Sequence, residues 1–162
     1  GRGWDREDPE LTYHIAQDLG MPYPEYWQLK TEFELDGGYR NLPAYADAVE
    51  FVRRALAAGV YLIVVTARPA NIGNIWYESW LWLKEQDIAP DQLLMLGEGE
   101  RLLYLDTLPS QAVLLEDNPA IAQRAAQVCK VVLRSHNYNR CYGGFTARLE
   151  DFSILQPENL WR

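Results

Sequence analysis

Four short polar clusters each follow an apolar run, and together they hold the residue types that bind an anion beside a hard cation. Thr66-Ala67-Arg68-Pro69 follows Val65, and Gly97-Glu98-Gly99-Glu100-Arg101 follows Leu96. Glu116-Asp117-Asn118-Pro119 follows Leu115, and Ser135-His136-Asn137-Tyr138-Asn139-Arg140 follows Arg134. They supply a hydroxyl, an adjacent pair of carboxylates, several amides and three arginines. Guanidinium forks match phosphate oxygens, and carboxylates are the protein ligands that Mg²⁺ takes. In open parallel sheets ligands sit beyond the carboxyl ends of the strands. All four clusters are therefore expected to face one crevice.

Each residue also has a plainer role. A threonine at a strand end is ordinary, and adjacent acids after a strand often do no more than cap the next helix. His136 lies in a crevice loop, but nothing in the sequence pairs with it as a nucleophile would. Other chemistries are poorly supported. The chain has two histidines and no HExxH, which argues against zinc, and it lacks GxSxG, GxGxxG and the Walker loop.

Alternating elements must position those clusters. Tyr45 to Ala58 reads as a helix, with Val49, Val52 and Leu56 at helical steps and Gly59 where a C-cap favours positive φ. Val60 to Val65 is a continuous apolar run, as expected of a parallel strand buried on both faces. A helix over 72–85, with Ile75, Trp76, Trp80 and Leu83 on one side, leads to a short strand at 93–96. A weak helix at 101–108 precedes a strand at 112–116. Asp117 or Asn118 then caps a helix that has Pro119 in its first turn and runs to about Val128. Lys130 to Arg134 is a fourth strand, and the tail from Ser135 reads as loop with a short element near 145–155. The pattern predicts a three-layer α/β domain with a mostly parallel sheet. The aromatic residues between Ile75 and Trp82 read as core. Tyr13, Tyr23, Tyr26, Trp27 and Phe33 read as packing within a small helical lid, with nucleobase stacking the alternative.

Composition narrows the partners. With 162 residues the chain is long enough for one sizeable core, and 48% hydrophobic residues supply it. A net charge of −8, from 15 Lys+Arg against 23 Asp+Glu, disfavours an extended nucleic-acid surface but leaves a cation site open. Cys129 and Cys141 form no metal or redox spacing, so a reduced, cytoplasmic setting is expected, with Cys129 as a small buried hydrophobe. The longest apolar run, 11 residues from Ala55 to Val65, is too short to span a membrane, and no signal peptide is visible. The chain begins Gly1-Arg2-Gly3 without Met, as a processed or trimmed N-terminus would.

An apolar strand ending in Thr66, followed about fifty residues later by one ending in Glu116-Asp117, resembles motifs II and IV of the haloacid dehalogenase-like (HAD) phosphatases. Gly38-Tyr-Arg-Asn-Leu-Pro43, Trp82-Leu-Lys84, Leu115-Glu-Asp-Asn-Pro119 and Tyr138-Asn-Arg140 are similar to segments of the 5'-nucleotidase-like branch. The likeness spans about two thirds of the chain, from Asp36 to Arg140. It implies a Rossmann-like HAD core over 37–162 and a partial helical cap segment over 1–36. It implies a Mg²⁺-dependent phosphomonoesterase acting on a small phosphate ester, such as a nucleotide, through an aspartyl-phosphate. Thr66 and Arg101 would then act on the phosphoryl group, Arg101 in place of the usual lysine. Ala67, Arg68 and Asn118 would contact substrate, and Glu116 and Asp117 would hold Mg²⁺.

The nucleophile motif, a strand ending in Asp-x-Asp-Gly, is not found. Asp5-Arg-Glu-Asp8 has the wrong spacing, and Glu34-Leu-Asp36-Gly37 begins with Glu after the polar Lys30-Thr-Glu stretch. In this fold the missing strand is central, so its absence leaves two inner edges unpaired, at roughly 1–3 kcal/mol per buried polar group. A chain whose beginning lies upstream of Gly1 is one expectation. A rearranged sheet or a strand from another chain are the others. The alternative function is a catalytically inactive HAD-like domain that binds a ligand or partner, and a generic Rossmann-like binding domain is a third. Oligomeric state is open.

Overall fold

The computed structural model describes residues 15–160. In chain order these form α1 (Ile15–Asp18), α2 (Tyr23–Leu35), α3 (Ala46–Ala57), β1 (Ile63–Thr66), α4 (Ile75–Glu85), β2 (Gln92–Met95) and α5 (Glu98–Leu105). They continue as β3 (Val113–Glu116), α6 (Pro119–Ala125), β4 (Lys130–Arg134), a 3-10 turn (Asn137–Asn139), β5 (Ala147–Leu149), a second 3-10 turn (Phe152–Ile154) and α7 (Pro157–Leu160). The chain is mixed α/β with parallel strands, as expected. The strands form two short sheets instead of one: β1 pairs only with β2, and β3, β4 and β5 form a second ladder in that order. No ladder joins β1 to β3 among the described residues, which is where the expected central strand would lie.

Two compact units result, one of residues 15–29 with Leu105–Glu150 and the other of Lys30–Tyr104 with 151–160. In the first, Val131, Val132 and Leu133 of β4 are wholly buried. Leu105, Ile121, Ala122, Ala125 and Cys129 complete that core, so Cys129 is buried as expected, and burial pushes its thiol pKa up. β4 alone matches the expectation of a strand covered on both faces. It is the middle strand of three, whereas β1 and β3 lie at ladder edges and are only half-buried.

In the second unit, Val49 of α3, Leu83 of α4 and Ile88 pack with Leu62, Val64 and Leu93. Gly59 ends the α3 segment at φ +78°, the left-handed conformation its position required. Helix α4 corrects the sequence reading. Its buried stripe is Ile75, Ser79 and Leu83, spaced by four residues, while Trp76 and Tyr77 are exposed. Tyr77 stacks on Trp80, whose ring also receives the Lys84 ammonium, so these aromatics cover one another on the surface. Trp82 alone reaches the core, and its indole N–H donates to the Leu42 carbonyl at 2.7 Å. The tail is more ordered than expected. Phe152 packs edge-on against Phe51, its N–H donates to Asp47, and Arg54 donates to the Ser153 carbonyl.

Helix α2 inverts the usual pattern. Its buried residue is Glu34, which pairs with Lys30 and accepts from the Tyr39 hydroxyl at 2.8 Å. Tyr23, Trp27 and Phe33, expected as lid packing, are exposed. Tyr13 lies outside the described residues. The turn after α2 allows close approach of chain to chain. A Cβ on Gly38 would stand 2.3 Å from the Phe33 ring and 2.5 Å from the Phe33 carbonyl oxygen. The ring, half-exposed, can move, but the carbonyl accepts the Gly38 N–H and cannot. Gly38→Ala should therefore destabilise by about 2 kcal/mol in urea unfolding. Most of that loss should persist in a Phe33→Ala background, and complete relief there would show that the ring alone was the obstacle.

Candidate functional site

The carboxyl end of β3 carries the acidic doublet. Oε1 of Glu116 accepts the backbone N–H of Asp117 at 3.0 Å and of Asn118 at 2.9 Å. The Glu116 carboxyl is pushed up to about 7, mainly by burial, with the neighbouring Asp117 side chain adding to the rise and the two N–H donors opposing it. The next side chain, Asn118, is the helix cap. Its Oδ1 accepts from Ala120 N at 2.9 Å and Ile121 N at 3.3 Å, with Pro119 opening α6. Of the two caps the sequence offered, the structure uses Asn118 and leaves Asp117 for other contacts. Substrate contact, expected of Asn118, would have to share the residue with this capping role.

Asp117 is bound on three sides. Its N–H donates to Glu116, its carbonyl accepts from Asn139 Nδ2 at 2.8 Å, and its Oδ2 accepts from the Tyr138 hydroxyl at 2.5 Å. Two of those ties come from the 3-10 turn Asn137–Asn139. Asn139 is wholly buried, and its side chain makes four hydrogen bonds. Nδ2 donates to the Asp117 and Arg134 carbonyls, joining the ends of β3 and β4. Oδ1 accepts from His136 N at 3.0 Å and Arg148 Nη1 at 2.9 Å. Arg148, on β5, also donates to the carbonyls of Asn139 and Tyr142. The His136 and Tyr138 rings stack with centroids 5.1 Å apart. His136 thus orients its neighbours through ring and backbone.

The sequence drew attention to the Ser135–Arg140 loop without showing which of its residues mattered. Arg148 was missed altogether. Its only sequence signal is a charge in the middle of a short β-branched and apolar stretch.

The remaining expected residues belong to the unit built on Lys30–Tyr104. Thr66 closes β1, and its Oγ1 accepts the Arg68 N–H at 3.3 Å, a local turn contact that leaves the hydroxyl proton to donate elsewhere. Ala67 is exposed. Arg68 does not reach outward as expected of a phosphate ligand. Its Nη1 donates to Ser79 Oγ at 2.9 Å, and its guanidinium lies 4.4 Å from the Tyr39 ring centre and 5.9 Å from that of Trp82. Burial lowers its pKa, while Tyr39 and Glu78 oppose that shift. The physical reason is the buried Ser79 stripe of α4, which offers a hydroxyl next to two aromatic faces. Arg101 sits in α5 just beyond β2, which pairs with β1 in register at Thr66 and Met95. Its Nε is buried without a hydrogen-bond partner among the described residues.

Glu34-Leu-Asp36-Gly37 ends helix α2 and is no strand terminus, so it cannot present a nucleophile as Asp-x-Asp-Gly does. Asp5-Arg-Glu-Asp8 and His14 lie outside the described residues. Among the described residues no group of three or more His, Cys, Asp or Glu side chains stands together as a metal cage. The doublet instead fits the open mode of Mg²⁺, which takes one or two carboxylates and leaves its other positions to water and phosphate oxygens. No family of known proteins, no curated protein and no solved structure matches this chain.

Proposed function

We propose that this chain is a HAD-like, Mg²⁺-dependent phosphomonoesterase for a small phosphate ester, a nucleotide being one candidate, and that its described residues hold the cation-binding end of that site without the aspartate nucleophile. One observation carries the reading: an adjacent carboxyl pair closes a parallel strand, and Asp117 is tied through N–H, carbonyl and carboxylate. Two carboxylates in contact repel unless a proton or a cation offsets one charge. A built arrangement that keeps them together is the kind that binds a hard cation. Bound there, Mg²⁺ would offset phosphate charge and orient the ester. The chain's own residues do the holding: Glu116 and Asp117 present oxygens, the backbone N–H groups fix Glu116, and the Asn118 cap sets where α6 starts.

The test uses Mn²⁺ as a paramagnetic stand-in, with binding followed by electron paramagnetic resonance. The chain should bind Mn²⁺ in competition with Mg²⁺, and Asp117→Asn should weaken that binding by about 10-fold or more. Equal binding by Asp117→Asn would remove the cation site and the reading with it. With p-nitrophenyl phosphate and Mg²⁺ the 162-residue chain should show negligible turnover, and brisk hydrolysis would mean that a nucleophile has been overlooked.

A second reading, a HAD-like domain that binds without turnover, is favoured by one observation: Arg68 is engaged by Ser79 and Tyr39. The readings part when a peptide bearing an apolar strand that ends in Asp-x-Asp-Gly is added. Hydrolysis appears under the first and stays absent under the second.

A further inference from the structure

We propose that Tyr138 is the positioning residue for the Asp117 carboxylate, and that the turn bearing it is a clamp that keeps Asp117 in its cation-holding orientation; this rests on the cation reading above. An aspartate at a strand end has two side-chain torsions to fix, and backbone contacts fix neither. The Tyr138 hydroxyl supplies the missing constraint by donating to Oδ2 at 2.5 Å across 21 residues of sequence. A phenol can hold an oxygen in place only if its own ring is held. Here the ring stacks on His136 at 5.1 Å with 20° between planes. The turn itself is anchored by Asn139, wholly buried, whose Nδ2 also grips the Asp117 carbonyl, and by Arg148, which donates to both the side chain and the carbonyl of Asn139. The same three-residue turn therefore sets both the backbone and the side chain of Asp117.

Hydrogen-bond partners one step behind a metal ligand orient it, and losing one typically weakens metal binding by about 10- to 100-fold. Tyr138 is suited to that role because its hydroxyl can be removed without opening the core. The opposite role, a phenol that occupies the oxygen a cation needs, predicts tighter binding once the hydroxyl is gone.

Mn²⁺ binding by Tyr138→Phe, read by paramagnetic resonance alongside thermal unfolding of the metal-free protein, decides between them. The expected result is a Kd about 10-fold weaker than the parent's, with the melting temperature nearly unchanged. Tyr138→Leu, which also removes the ring, should weaken binding at least as much. Unchanged or tighter Mn²⁺ binding by Tyr138→Phe would overturn the proposal, provided that Asp117→Asn loses the ion. If Asp117→Asn binds Mn²⁺ as the parent does, the cation reading itself has failed, whatever Tyr138→Phe shows.

Discussion

Asn139→Ala should lower the unfolding free energy by about 4 kcal/mol, the largest loss expected of any single substitution outside the apolar core. Four hydrogen bonds end on this side chain in an environment without solvent access. Deleting it costs more than the net worth of four bonds, because the Asp117 and Arg134 carbonyls, the His136 N–H and one Arg148 N–H each lose a partner while half-buried and facing the emptied site. Each such group costs about 1–3 kcal/mol, with some relief from relaxation. Asn139→Asp sharpens the argument. It is nearly the same shape and still accepts from His136 and Arg148, but it turns a carboxylate oxygen toward two carbonyls that need a donor. It should therefore be as damaging as alanine at neutral pH. Denaturant unfolding of the metal-free protein measures both variants. A loss below about 1 kcal/mol for either would mean that the turn is not the tie between β3 and β4 that the geometry describes.

The second large effect is a pH dependence. Glu116 holds its proton up to about 7 in the folded chain, against an ordinary value of 4.5. The folded state thus binds the proton more tightly than the unfolded state. Its contribution to stability is fully present below about 4.5 and is lost as pH rises through about 7. That shift corresponds to about 3 kcal/mol at most. Glu116→Gln keeps an oxygen for the two backbone N–H donors and cannot ionise. In chelator-treated protein the variant should match the parent near pH 4.5 and exceed it progressively toward pH 8. Parallel stability profiles for parent and variant would show that burial does not hold the Glu116 proton.

Much of the scaffold could be read without coordinates, because the interactions concerned are local. Lys130–Arg134 is a strand with the expected bounds, and the Tyr45–Ala58 helix shifts by a single residue at each end. The Asn118–Pro119 helix start and the Gly59 helix stop depend on bonds between residues two to five apart, and residue type encodes these directly. The same holds for the acidic doublet at the end of an apolar strand. A run of period-one apolar residues followed by charge has few other foldings.

What the sequence could not reveal depends on which strand ends come to lie side by side. That Tyr138 meets Asp117, that Asn139 spans two strands, and that Arg148 locks the turn follow from the β3–β4–β5 pairing. Pairing is chosen by loop closure and by competition among many similar apolar runs. Arg68 turned inward for a comparable reason: Ser79, four residues along α4 from Ile75, is the buried partner of its guanidinium, and nothing in the sequence marks that serine. The division into two ladders is likewise a tertiary outcome, since β1 and β3 look alike in sequence and differ only in the neighbour each finds. Residue order thus determined the strands, the caps and the acidic doublet, through contacts a few residues long. Side-chain partners twenty residues apart were decided only by the folded chain, because no periodicity in the sequence records them.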